Sequence, residues 1–133
     1  MHAGTPFAIL GAMFSPAVLD HFQNPRNSGT LPDATTTIEV TNPVCGDVLR
    51  LAVRFENDRI TAARFQTRGC VTSIACSSLL TELLIGRSRA GAAAVTPQLV
   101  AETLGGLEPA TTHAADLARD AVEALLLQLG RGG

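Results

Sequence analysis

The chain has 133 residues, 46% of them hydrophobic, and a net charge of −2, which suits one compact domain with a real core. Its ten positive side chains, all Arg, face twelve acidic ones, so no basic field points to a nucleic-acid partner. No apolar run reaches the roughly 18–20 residues of a membrane span. The three cysteines, Cys45, Cys70 and Cys76, do not read as a disulfide framework; reduced thiols in a cytoplasmic setting are expected.

The opening stretch Met1–Ala12 is mildly apolar but lacks Lys and Arg, unlike a signal peptide. Residues 1–13 are expected to be a disordered N-terminal extension, with Met13 as a second possible start, and residues 14–130 a single domain. Ser15-Pro16 reads as the cap and first position of a short helix bearing Val18, Leu19 and Phe22. That helix should stop before Asn24-Pro25, and the Pro-, Gly- and Asn-rich stretch to Thr36 should be loop.

Three strands follow. Thr37–Thr41 is rich in β-branched residues, and Val48–Phe55 alternates, with Leu49, Leu51, Val53 and Phe55 on one face and Arg50 and Arg54 on the other. Asn57-Asp58 turns the chain into a return strand, Ile60–Thr67. Such short connections favour an antiparallel meander. The rest is helical: Val71–Ile85 with Gly86 beyond its end, a short helix after Thr96-Pro97, and a last helix from Thr112 carrying Leu117, Ala121, Val122, Leu125 and Leu129. Strands first and helices later predict an α+β fold, with helices packed on one face of a small antiparallel sheet.

Cys45 lies in Asn42-Pro43-Val44-Cys45-Gly46-Asp47, a tight loop between two strands. Cys70 follows Gly69 where a strand gives way to a helix, and His113 opens the last helix. Side chains at the ends of elements can converge from distant sequence. The start of a helix favours negative charge, which suits a metal-binding sulfur. Gly46 and Gly69 would let the backbone come close to a bound group. With Asp47 as a weak fourth ligand, Cys45, Cys70 and His113 make a plausible set for iron or zinc. Two cysteines 25 residues apart match no standard zinc-finger spacing.

Five ordered blocks add a resemblance. Asp20-His21-Phe22-Gln23-Asn24-Pro25-Arg26-Asn27-Ser28-Gly29, Pro43–Asp47, Phe65–Cys70, Ile74–Glu82 and His113–Ala121 resemble the U-type scaffolds of iron–sulfur cluster assembly, the family of IscU, SufU and the N-terminal part of NifU. The resemblance runs from about Phe14 to Leu126. It implies a carrier protein and not an enzyme. Such a carrier accepts sulfur as persulfide from a cysteine desulfurase, holds a labile [2Fe–2S] cluster, and passes it to acceptor apo-proteins. Carried over, it assigns cluster binding to Cys45, Asp47, Cys70 and His113.

Three departures stand out. Ala114 occupies the place of the family's third ligand cysteine, and a methyl group neither binds metal nor accepts sulfur. Cys76 replaces a Ser of the family and is a candidate substitute ligand, although six residues along a helix put it roughly a third of a turn off the face of Cys70. Leu107-Glu108-Pro109-Ala110-Thr111 stands where the family's Leu-Pro-Pro-Val-Lys docks a chaperone, which weighs against that partner here. Two functions follow: a scaffold with an altered ligand set, or a divergent paralogue that binds Zn2+ or docks to the desulfurase as a regulator.

Overall fold

The structure, a computed structural model, describes residues 14–132. The expected N-terminal extension lies outside the described residues. Helix α1 (Pro16–Gln23) starts as its sequence dictates: Ser15 is extended, and its Oγ accepts a hydrogen bond from Val18 N at 3.1 Å. Such a cap contributes about 1 kcal/mol.

Strands β1 (Thr36–Thr41), β2 (Val48–Glu56) and β3 (Arg59–Arg68) form an antiparallel sheet in the order β1-β2-β3. Thr41 pairs with Val48 and Val48 with Arg68, so the β1–β2 loop and the end of β3 share one end of the sheet. Asn57 and Asp58 take φ of 52° and 57° at the β2–β3 turn, a conformation their short polar side chains tolerate. A register shift follows, with Arg54 opposite Ala62 but Phe55 opposite Ile60. The extra residue on β3 lets Ile60 and Ala63, three apart, both face the core.

Helix α2 (Val71–Leu84) runs through the middle of the molecule. Ten of its residues are buried, among them Leu79, Leu80 and Leu84 but also Thr72, Ser73, Ser77, Ser78 and Thr81. Most of these hydroxyls are bonded. Ser78 Oγ lies 2.8 Å from both His21 Nδ1 and Arg26 N, and Thr81 Oγ1 accepts from Asn27 Nδ2 at 3.0 Å. The loop after α1 is therefore pinned to the central helix, and continues beside β3 through Gly29 N to Phe65 O at 2.9 Å.

Helix α3 (Arg89–Ala93) was not expected from sequence. Five residues are too few to show a periodicity, but Ser88 Oγ caps it by accepting from Gly91 N at 3.1 Å. Helix α4 (Pro97–Thr103) begins at the Thr96 cap and gives way to Gly105 and Gly106, both at positive φ. A single 3-10 turn (Pro109–Thr111) leads into α5 (His113–Gly132). The inner face of α5, with Leu117, Ala121, Val122 and Leu125 fully buried, packs on β1, β2 and α2. The fold is α+β, as the sequence predicts. No helix among the described residues is long and apolar enough to cross a membrane.

Candidate metal site

The β1–β2 loop is shaped by Asn42. Its Oδ1 accepts from Val44 N at 2.8 Å and Cys45 N at 3.3 Å, and its backbone bonds Asp47 O and Gly46 N at 2.8 Å each. Gly46 closes the loop at φ +79°, where a side chain would be strained. The outcome is an exposed Cys45 beside an exposed Val44, with Asp47 turned inward and only 9% exposed.

Asp47 meets two elements that the sequence leaves far away. Its Oδ2 accepts a hydrogen bond from Ser73 Oγ and lies 3.7 Å from His113 Nε2. Together Cys45, Asp47 and His113 offer a sulfur, an oxygen and a nitrogen all within 4.8 Å of one another. One metal ion holds such donors at about 2.0–2.3 Å, so small side-chain adjustments would close the set around it.

Cys70 is the N-cap residue of α2 and is exposed. Its Sγ lies outside that tight group but 3.4 Å from Ser73 Oγ, so Ser73 touches both Cys70 and Asp47. Cys76 lies elsewhere. It is fully buried in the hydrophobic core, and burial, with a smaller effect from Cys70, pushes its thiol up to about 12. Metal binding by sulfur needs the thiolate, which this environment disfavours. Ala114 is also buried, 1% exposed, among Leu117, Ala118 and the other core residues.

Two features of the site take their role from the tertiary structure. Ser73 carried no motif signal; a helix rich in Ser and Thr with apolar residues on every side was the clue that its hydroxyls would be buried and paired. Gly69 was expected to make room for a bound group. It makes room for Asp47: a Cβ on Gly69 would lie 2.6 Å from Asp47 Cγ. His21 has a structural place, with Nδ1 on Ser78 and Nε2 3.5 Å from Glu82 Oε1. Arg26 donates to Asn24 O in its own loop and to Asp20 Oδ2 of α1.

The fold and site together define a small α+β domain that presents a thiol, a carboxylate and an imidazole at one end of the sheet. The chain belongs to the family described as the NifU-like N terminal domain, which it matches over residues 13–129. It is 42% identical over 119 residues to the iron–sulfur cluster assembly scaffold protein IscU 1 of Archaeoglobus fulgidus, covering 90% of this chain and 78% of that protein. The IscU scaffold of Haemophilus influenzae is 39% identical over 117 residues, 85% of this chain and 92% of that one. A solved NifU-like protein (N-terminal) from Brucella abortus superposes with a TM-score of 0.61 at 16% identity, over 88% of this chain and 82% of that one; at that identity the likeness shows the fold alone.

Proposed function

We propose that this chain is an iron–sulfur cluster assembly scaffold, a carrier and not an enzyme. The Archaeoglobus fulgidus and Haemophilus influenzae relatives are named as scaffolds of that kind. The observation that carries the reading to particular residues is the gathering of Cys45, Asp47 and His113 within 4.8 Å, with Cys70 next to them across Ser73. In this reading Cys45, Cys70, Asp47 and His113 hold a [2Fe–2S] cluster as cargo. A two-iron cluster takes four protein ligands, two on each iron, and His is an accepted replacement for Cys. Four donors that do not all crowd one point suit two metals better than one. Asp47 is the weak member of the set, and a carboxylate among softer ligands favours release of the cluster over retention.

The exposed thiols of Cys45 and Cys70 are the natural acceptors of sulfur from a cysteine desulfurase in a reducing, cytoplasmic compartment, and open solvent around them leaves room for acceptor apo-proteins. Cys76 takes no part, because its buried thiol offers no thiolate. The test is anaerobic reconstitution of the full chain with ferrous iron, cysteine, a desulfurase and a dithiol reductant that supplies the electrons to reduce persulfide sulfur to sulfide, followed by visible absorption and metal analysis. A [2Fe–2S] chromophore with two irons per chain supports the scaffold. Zinc retained in place of iron, with no chromophore, would favour a divergent zinc-binding paralogue.

A further inference from the structure

Ser73 occupies a position that no other described side chain shares. It sits in the first turn of α2, three residues after Cys70, and is completely buried. Its Oγ donates to Asp47 Oδ2 and lies 3.4 Å from Cys70 Sγ. Among the described residues Ser73 is the hydrogen-bond donor to the Asp47 carboxylate. On the other side, Gly69 leaves a gap that a single added carbon would close, with its Cβ 2.8 Å from Oδ2 and 3.0 Å from Oδ1. The carboxylate is thus held between a hydroxyl and bare backbone, with Oδ2 engaged.

We infer that Ser73 is the positioning residue of the site: it holds the Asp47 carboxylate by Oδ2, the oxygen that also lies 3.7 Å from His113 Nε2, and so fixes the orientation in which that carboxylate meets a metal. The inference rests on the site reading given above. The physical reason is that a ligating carboxylate acts well only when a hydrogen bond outside the coordination sphere fixes its orientation, and losing such a bond typically costs about 10–100-fold in metal affinity. A side chain one turn into a helix is also a rigid anchor, since its own position is fixed by the helix and by complete burial. Ser73 therefore sets the binding strength of the site's weakest ligand without touching the metal.

The test uses Co2+ as probe, titrated anaerobically into the full-length, metal-free chain, with visible absorption reporting both affinity and the thiolate–cobalt charge-transfer band. Ser73→Ala should fold well, since Ala is the better helix former, and should weaken Co2+ binding about tenfold or more. The second arm repeats the change in an Asp47→Ala background. There Ser73→Ala should alter affinity by less than about twofold, because a residue acting through Asp47 has nothing left to act on. An equal loss in both backgrounds would show a merely structural role and overturn the inference, as would unchanged affinity of the single variant. Those outcomes leave wild-type binding intact and so spare the site reading. A wild-type chain showing no thiolate–cobalt band at all would overturn the site reading and Ser73's role with it.

Discussion

Gly69 and Asp47 are in direct packing contact, so closely that a methyl group on Gly69 would come within 2.6 Å of the Asp47 carboxyl carbon. Gly69 does not take a positive φ; what it supplies is space. Asp47 cannot simply retreat, because Ser73 and the β1–β2 loop hold it in place. We expect Gly69→Ala to push the carboxylate off its present line while the sheet and helices persist. Zn2+ or Co2+ affinity should fall about tenfold or more, with an unchanged far-ultraviolet circular dichroism spectrum. Full affinity in this variant would remove Asp47 from the ligand set.

The two exposed thiols should behave alike and differently from the third. Cys45→Ser and Cys70→Ser should each greatly weaken binding of metal or cluster, since a hydroxyl is a far poorer soft-metal ligand than a thiolate. If both single variants hold metal as the wild type does, the assignment of the site is wrong.

Cys76 should be silent toward alkylating reagents. With its thiol raised to about 12 by burial, only about one molecule in ten thousand is ionised at pH 8, and the thiolate is the reactive form. Iodoacetamide followed by mass spectrometry should show two modified sites in the native metal-free chain and a third only after denaturation. Cys76→Ala should lower the melting temperature, by loss of core contacts worth about 1 kcal/mol, and leave metal affinity unchanged. Rapid native modification of Cys76 would contradict its placement in the core.

His21 gives the fold a pH dependence of defined sign. Burial, reinforced by the Arg26 charge, holds its imidazole below the usual value of 6.5, against the opposing pull of Glu82 and Asp20. The native state therefore prefers neutral His21. Its contribution is present in full above about pH 6.5 and is lost as the pH falls from there through the native value, because the unfolded chain takes up the proton first. Urea midpoints should drop between pH 7.5 and 5.5, and His21→Asn should flatten that slope. An equally steep slope in the variant would assign the effect to other groups.

Ala114 tests the departure from the family's ligand pattern. The position opens α5, next to His113, and is buried. Ala114→Cys adds one sulfur to a filled position, at an overpacking cost of about 1–3 kcal/mol, but unlike Cys76 it stands in the first turn of a helix beside His113, where the helix start favours the thiolate against burial. We expect a more intense and longer-lived [2Fe–2S] chromophore than in the wild type under identical anaerobic reconstitution. A wild-type cluster already stable, and unimproved by the added thiol, would show that the missing cysteine is no defect.

Much of this protein follows from local rules. The Ser15-Pro16 and Thr96-Pro97 caps, the alternation of Leu49, Leu51 and Val53, and the Asn57-Asp58 turn are decided by residues within a few positions of one another, so the sequence alone determines the main elements, their order and the α+β class, though not the five-residue helix α3. It also places Cys45, Cys70 and His113 at element ends, the condition for their meeting. Which of them meet is a matter of register between strands and of helix rotation against the sheet, and both are fixed by packing across the whole chain. Only the tertiary structure brings His113 Nε2 to Asp47, separated from it by 66 residues, and turns Cys76 into the core while leaving Cys70 in solvent. The same holds for Ser73 and Gly69. A hydroxyl and a missing side chain do not name their partner in sequence, and they acquire a role only when the β1–β2 loop folds back and lays Asp47 between them.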